Sequence, residues 1–247
     1  MDEPSGMRII DERRWVGLHR GGAVAAFGVA LVLVGEILVF ALFPRPASAL
    51  EHFELFRQNW LVGLLTLDLL GLISYLLLIP TTLAVYVAVR KEGEGLMAVA
   101  TVLFFVGVAD FVATNTAFSV LDLSVQYSQA GSDAERAAIL AAGQAMFTLF
   151  NENAFLVSYV IVSFAWGLMG VGMLRSALFS SATAVAGILA GASGIVAVVL
   201  EHAHKGLVGV AIGFYFAAIV FLLAWMILTG RHLWRLSRAA QAGSGAS

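Results

Sequence analysis

Residues 206–230 read GLVGVAIGFYFAAIVFLLAWMILTG, without a charged side chain from end to end. A helix that crosses the hydrocarbon layer of a bilayer needs about 20 mostly apolar residues. The stretch meets that requirement, so the chain reads as an integral membrane protein. Strands are disfavoured, because a barrel strand alternates apolar and polar side chains over about ten residues, and this run does not alternate.

Five more runs of the same kind lie upstream, at about 21–43, 60–89, 95–117, 154–174 and 177–200. The expected fold is therefore all-α: an integral membrane bundle of six transmembrane helices over residues 21–238. A short cytoplasmic segment, 1–20, would precede it and a disordered tail, 239–247, would follow. Composition agrees. The chain has 247 residues, 60% of them hydrophobic and 12% charged, where a soluble domain carries about 25% charged residues. A net charge of −2 predicts no affinity for nucleic acid. The absence of cysteine excludes disulfides, thiolate metal sites, thiol nucleophiles and lipid-modified cysteines.

Lys and Arg in the connections set orientation, since cytoplasmic loops carry the excess. With the N-terminus inside, the cytoplasmic set is Arg8, Arg13, Arg14, Arg20, Arg90, Lys91, Arg175, Arg231, Arg235 and Arg238. The outer set is Arg45, Arg57, Arg136 and Lys205. All 14 basic residues fall in connections or tails, so six spans with both termini cytoplasmic is the consistent count. The first run, with Ala47-Ser48-Ala49 after it, has the layout of a cleavable signal peptide. It is longer than the usual 7–15 apolar residues of such a signal and carries Glu36, so it reads as a span.

Between the spans, Phe43-Pro44-Arg45-Pro46 ends the first helix, and residues 47–59 suit a short interfacial helix. The largest connection is the outer one, at about 118–153. There Ser132-Asp133-Ala134-Glu135 forms a capping box, predicting an amphipathic outer helix from 133 that leads into the fourth span. The fifth span carries the small-residue stripe Ala184, Gly187, Gly191 and Gly194, and the sixth carries Gly209 and Gly213. Small residues let helix backbones approach closely, which places the fifth helix centrally. Trp15, Trp60 and Trp234 fit interface anchors.

The chemistry-bearing residues are three acids inside spans, Glu36, Asp68 and Asp110. A charged acid at the centre of a spanning helix costs about 2.5–3.5 kcal/mol on insertion scales, and intramembrane ionisable residues are functional candidates by default. No Lys or Arg lies within a span to neutralise them. At 1.5 Å rise per residue all three sit roughly 5–6 Å to the outer side of the bilayer centre. The expected ligand-binding set is Glu36, Asp68 and Asp110, lined by Tyr75, Thr114, Asn115, Glu152 and Tyr159. His52, His202 and His204 are the candidate ligands should a metal ion bind; no other cofactor is expected. His202 and His204 are two residues apart and do not share a helix face. The alternative there is a wet helix end with a Glu201–Lys205 pair. No P-loop, G-x-S-x-G elbow, H-E-x-x-H or dinucleotide fingerprint is present.

The run Trp60 to Leu70, continuing through Tyr75 and Pro80 to Arg90, resembles a family of bacterial multi-pass inner-membrane proteins of unknown function. The resemblance implies a bacterial inner-membrane location and supplies no activity. The leading expectation is a non-enzymatic protein that binds a small solute, lipid or cation in an outward-facing acidic pocket, as a transporter-like or sensor component. A metal-dependent intramembrane hydrolase and a structural or regulatory membrane subunit are the alternatives. The expected partners are the lipid bilayer and a small-molecule or cation ligand.

Overall fold

The computed structural model describes residues 14–150 and 155–242. Among them the regular structure is entirely helical: α1 (Val16–Leu42), α2 (Ala49–Gln58), α3 (Trp60–Thr66), α4 (Leu69–Thr114), α5 (Ala117–Gln129), α6 (Asp133–Thr148), α7 (Phe155–Leu174), α8 (Ser181–Ala203), a 3₁₀ turn (Lys205–Leu207) and α9 (Val208–Ala242).

Among the described residues, five helical runs are long and apolar enough to cross a membrane: Val16–Leu42, Leu69–Gln129, Leu156–Leu174, Ser181–Ala203 and Lys205–Ala242. A membrane favours helices because they satisfy backbone polar groups within one segment. The chain is thus a helical membrane protein. The second and third expected spans appear within the 46-residue α4, interrupted at Gly93, whose backbone leaves the helical region (φ −167°, ψ 50°). The other differences are local. The expected span from Trp60 is broken before Leu69. The third span ends at Thr114 and is followed by α5, a helix the sequence did not suggest. The last helix continues to Ala242, into the stretch from 239 that was expected to be a disordered tail.

The chain divides into two compact units. The first is Met1–Leu31, Tyr75–Val106 and Val160–Ser247. Its packing depends on glycine. A Cβ on Gly191 would stand 2.2 Å from the Ser163 carbonyl oxygen, and one on Gly170 would stand 2.7 Å from that of Ala184. Helices α7 and α8 therefore touch backbone to backbone. One turn before Gly191 on α8, the Trp225 ring of α9 lies over Gly187 and donates its indole N–H to Met173 Sδ at 3.3 Å. Of the five runs, α8 has the largest buried share of its most apolar stretch, 56%, as its small-residue stripe led us to expect. Gly22 of α1 sits against Ala84 and the Pro80 carbonyl of α4, and the Thr81 hydroxyl crosses to the Gly22 carbonyl oxygen at 3.1 Å.

The second unit is Val32–Ser74 and Gly107–Tyr159. Its core is aromatic. Phe53 and Phe56 of α2, Leu64 and Leu67 beside α3, Ala117 and Val120 of α5 and Phe147 of α6 are buried together. The caps are those the sequence offers. Ser48 accepts the Glu51 N–H at 3.3 Å. Asn59 ends α2 and opens α3, accepting from Leu61 and Val62. Ser132 accepts the Glu135 N–H at 3.2 Å, while the Glu135 carboxylate turns back to the Gly131 N–H at 2.8 Å. The capping box thus closes one residue upstream of its usual place.

Gly209 and Gly213 correct the expected close packing of the sixth span, since a Cβ on either meets nothing within 4 Å. Gly191→Ala should therefore lower stability by about 2 kcal/mol or more, because backbone cannot yield to the added methyl. Gly213→Ala should be neutral or stabilising by up to about 1 kcal/mol. Thermal unfolding of both variants in the same detergent checks the contrast.

Candidate functional site: a paired carboxyl at a helix break

The run Trp60–Arg90, uniform in sequence, is discontinuous in structure. α3 ends at Leu67, whose N–H reaches the Gly63 and Leu64 carbonyls, both at 3.2 Å. α4 restarts at Leu69, and Asp68 between them adopts a left-handed conformation (φ 66°, ψ 35°). It is the one non-glycine with positive φ among the described residues. Asp and Asn enter this region more readily than other side chains, because a short polar group can bond locally. Asp68 does so: it caps α4, its Oδ1 accepting the Gly71 N–H at 3.2 Å. Gly71 leaves the room, since a Cβ there would lie 2.3 Å from that oxygen.

Asp68 is 3% exposed. Its carboxyl neighbours that of Glu36 on α1, close enough for the two to interact, and a Cβ on Gly35, beside Glu36, would stand 3.8 Å from Leu70 Cδ1. Two ionised carboxylates are acceptors only, so a proton or a cation between them would satisfy both. The Arg45 guanidinium, in the loop after α1, acts electrostatically on both acids and rests over the Phe40 ring at 4.9 Å. The structure therefore joins two of the three predicted acids and brings a cation from outside the span to them.

The remaining predicted residues have separate settings. Asp110, also in the second unit, has Oδ2 buried with no hydrogen-bond partner among the described residues. The Thr114 hydroxyl donates to the Asp110 backbone carbonyl. Asn115 Oδ1 accepts the Ala117 N–H at 3.2 Å, shaping the α4–α5 turn, while its Nδ2 is buried without a partner among the described residues. Tyr75 is buried on α4 and falls in the first unit. Tyr159 is half-buried on α7 in the second. Glu152 lies outside the described residues.

The histidines named as metal ligands do not gather. His52 is fully buried in the second unit, with Nδ1 3.3 Å from the Ser48 carbonyl oxygen and its ring 5.0 Å from that of Phe147. His202 and His204 belong to the first unit and are exposed. His202 Nδ1 lies 2.9 Å from the Val198 carbonyl oxygen, and His204 Nδ1 accepts the Gly206 N–H at 3.0 Å. Glu201 accepts the Tyr215 hydroxyl at 2.6 Å, in place of an ion pair with Lys205. Among the described residues no three His, Asp or Glu side chains form a group able to hold a metal ion.

Sequence reasoning missed the helix break and the approach of Arg45. The one signal for the break was Asp68 itself, a short polar side chain that tolerates a left-handed turn and can cap the helix after it. No protein family, curated protein or solved structure matches this chain.

Two outcomes follow. Gly71→Ala should displace the Asp68 carboxyl from its cap and cost about 1–3 kcal/mol; Asp68→Gly in the same chain should recover most of the loss, since glycine accepts positive φ. Unfolding midpoints of the single and double variants test this. Burial among aromatic rings pushes the His52 imidazole down from 6.5 to about 4. An unfolded His takes up its proton near 6.5 and the folded one only near 4, so stability should fall as pH drops through that interval, by up to about 3 kcal/mol. His52→Leu should flatten that part of the pH–stability curve.

Proposed function

We propose that the chain is a six-span bundle with both termini cytoplasmic that binds a small solute or cation in an acidic pocket on its outer side, as a transporter-like or sensor component of the bacterial inner membrane. The interruption at Gly93 supports six crossings, with the two arms of α4 as the second and third. The ten-to-four division of Lys and Arg between alternate connections supports the orientation.

The observation that carries the binding reading is the neighbouring carboxyls of Glu36 and Asp68 at an interrupted helix. Broken helices inside membranes expose backbone groups and are a recurrent way of building solute and ion sites. A buried pair holding one proton can exchange it for a cation with no net change of buried charge. Arg45, in a connection that the charge division puts on the outer side, acts electrostatically on the pair. Asp110, with a buried unpartnered oxygen in the same unit, is the third acid of the set.

A structural or regulatory subunit is the second reading. It is favoured by the same proximity, because two acids that share a proton need no ligand. The hydrolase reading has no metal-holding group among the described residues to rest on.

The test is proton release from purified protein in weakly buffered detergent near neutrality, on addition of Na⁺, K⁺, Ca²⁺ or a small organic amine. The wild type should release up to one proton per cation bound. Glu36→Gln with Asp68→Asn should abolish the response while leaving the unfolding midpoint within a few degrees, and Asp110→Asn should weaken it. Full release from the double variant would remove the site. Silence of the wild type toward every cation would favour the structural reading.

A further inference from the structure

Apart from the carboxyl pair, the first unit holds a cluster of arginines stacked on tryptophan. The Arg14 and Arg90 guanidiniums lie 5.5 and 5.4 Å from the Trp15 ring centroid. Those of Arg20 and Arg238 lie 5.6 and 5.7 Å from that of Trp234. Trp15 and Arg20 are separated by about 7.5 Å of helix rise, so the two clusters share one end of α1.

We propose that this end is a binding site for the phosphodiester headgroup of an anionic glycerophospholipid. A guanidinium held by cation–π contact keeps its in-plane N–H fork free, the geometry that matches phosphate oxygens. None of the four arginines has a carboxylate partner among the described residues. Glu92 and Glu94, on either side of Gly93, are exposed and pair with none of them. The Trp15 indole N–H is buried and has no acceptor among the described residues.

The apolar surroundings favour a lipid over a soluble anion. One turn beyond Arg20, Val24 is 57% exposed, and Leu31 further along α1 is 74% exposed. A phosphate held by the arginines would leave its acyl chains along that face. Basic pockets flanked by membrane helices are suited to anionic headgroups, and stacking removes much of the side-chain entropy that a free arginine would lose on binding.

The proposal is independent of the Glu36–Asp68 reading. Its test uses the full chain, delipidated in neutral detergent and titrated with phosphatidylglycerol, phosphatidylcholine or inorganic phosphate. Bound lipid is counted by native mass spectrometry. Phosphatidylglycerol should be retained well above phosphatidylcholine, and inorganic phosphate should not displace it at equal concentration. Each Arg→Gln change among Arg14, Arg20, Arg90 and Arg238 should cut the preference roughly fivefold. Arg57→Gln with Arg136→Gln removes the same kind of charge elsewhere and should leave the preference unchanged. Lys at the four sites keeps the charge, and its unfolding midpoint in phosphatidylcholine should match the wild type, separating lost recognition from a lost fold. Equal retention of the two lipids, full displacement by inorganic phosphate, or an unchanged preference in the four-site Gln variant would overturn the proposal.

Discussion

Breaking a helix inside an apolar layer frees backbone groups that no water is there to satisfy. At Leu67 and Asp68 the chain meets that constraint with local means: Leu67 closes α3, and the Asp68 carboxyl caps α4 through the Gly71 N–H. The same carboxyl then meets Glu36. No Lys or Arg stands inside the surrounding runs, and the cation that acts on the two acids, Arg45, comes from the loop. Backbone capping and carboxyl pairing are thus one arrangement, and the position of the candidate site follows from it.

The two units solve different packing problems. In the first, helices approach until backbone meets backbone at Gly170 and Gly191, which gains dispersion contact where lipid leaves no hydrophobic drive between helices. In the second, α2, α3, α5 and α6 bury Phe53, Phe56 and Phe147 together in a small aromatic core, with His52 enclosed and neutral beside Phe147. Capping by Ser48, Asn59 and Ser132 fixes where each short helix begins.

Long apolar runs were legible because lipid requires length and composition, both of which are local properties. The interfacial helix at 49–58 and the capped start of α6 were legible for a similar reason: Ser48 and Ser132 precede acids that suit a first turn. The small-residue stripe of α8 correctly announced close packing, whereas the same spacing at Gly209 and Gly213 did not. Spacing alone cannot say whether a neighbour stands opposite. Likewise α5 was hidden in a stretch of mixed polarity, where helix formation depends on burying Ala117 and Val120 against the aromatic core.

By itself the sequence determined that this is a helical membrane protein and that acids without internal counter-charges must find some form of neutralisation. Both follow from the solvent, which acts on each segment separately. Only tertiary structure decided that Asp68 turns out of its helix, that Glu36 is its neighbour, and that His52 is enclosed beside Phe56 and Phe147. Those outcomes depend on which helices are neighbours, and neighbours are chosen by packing across long sequence separations.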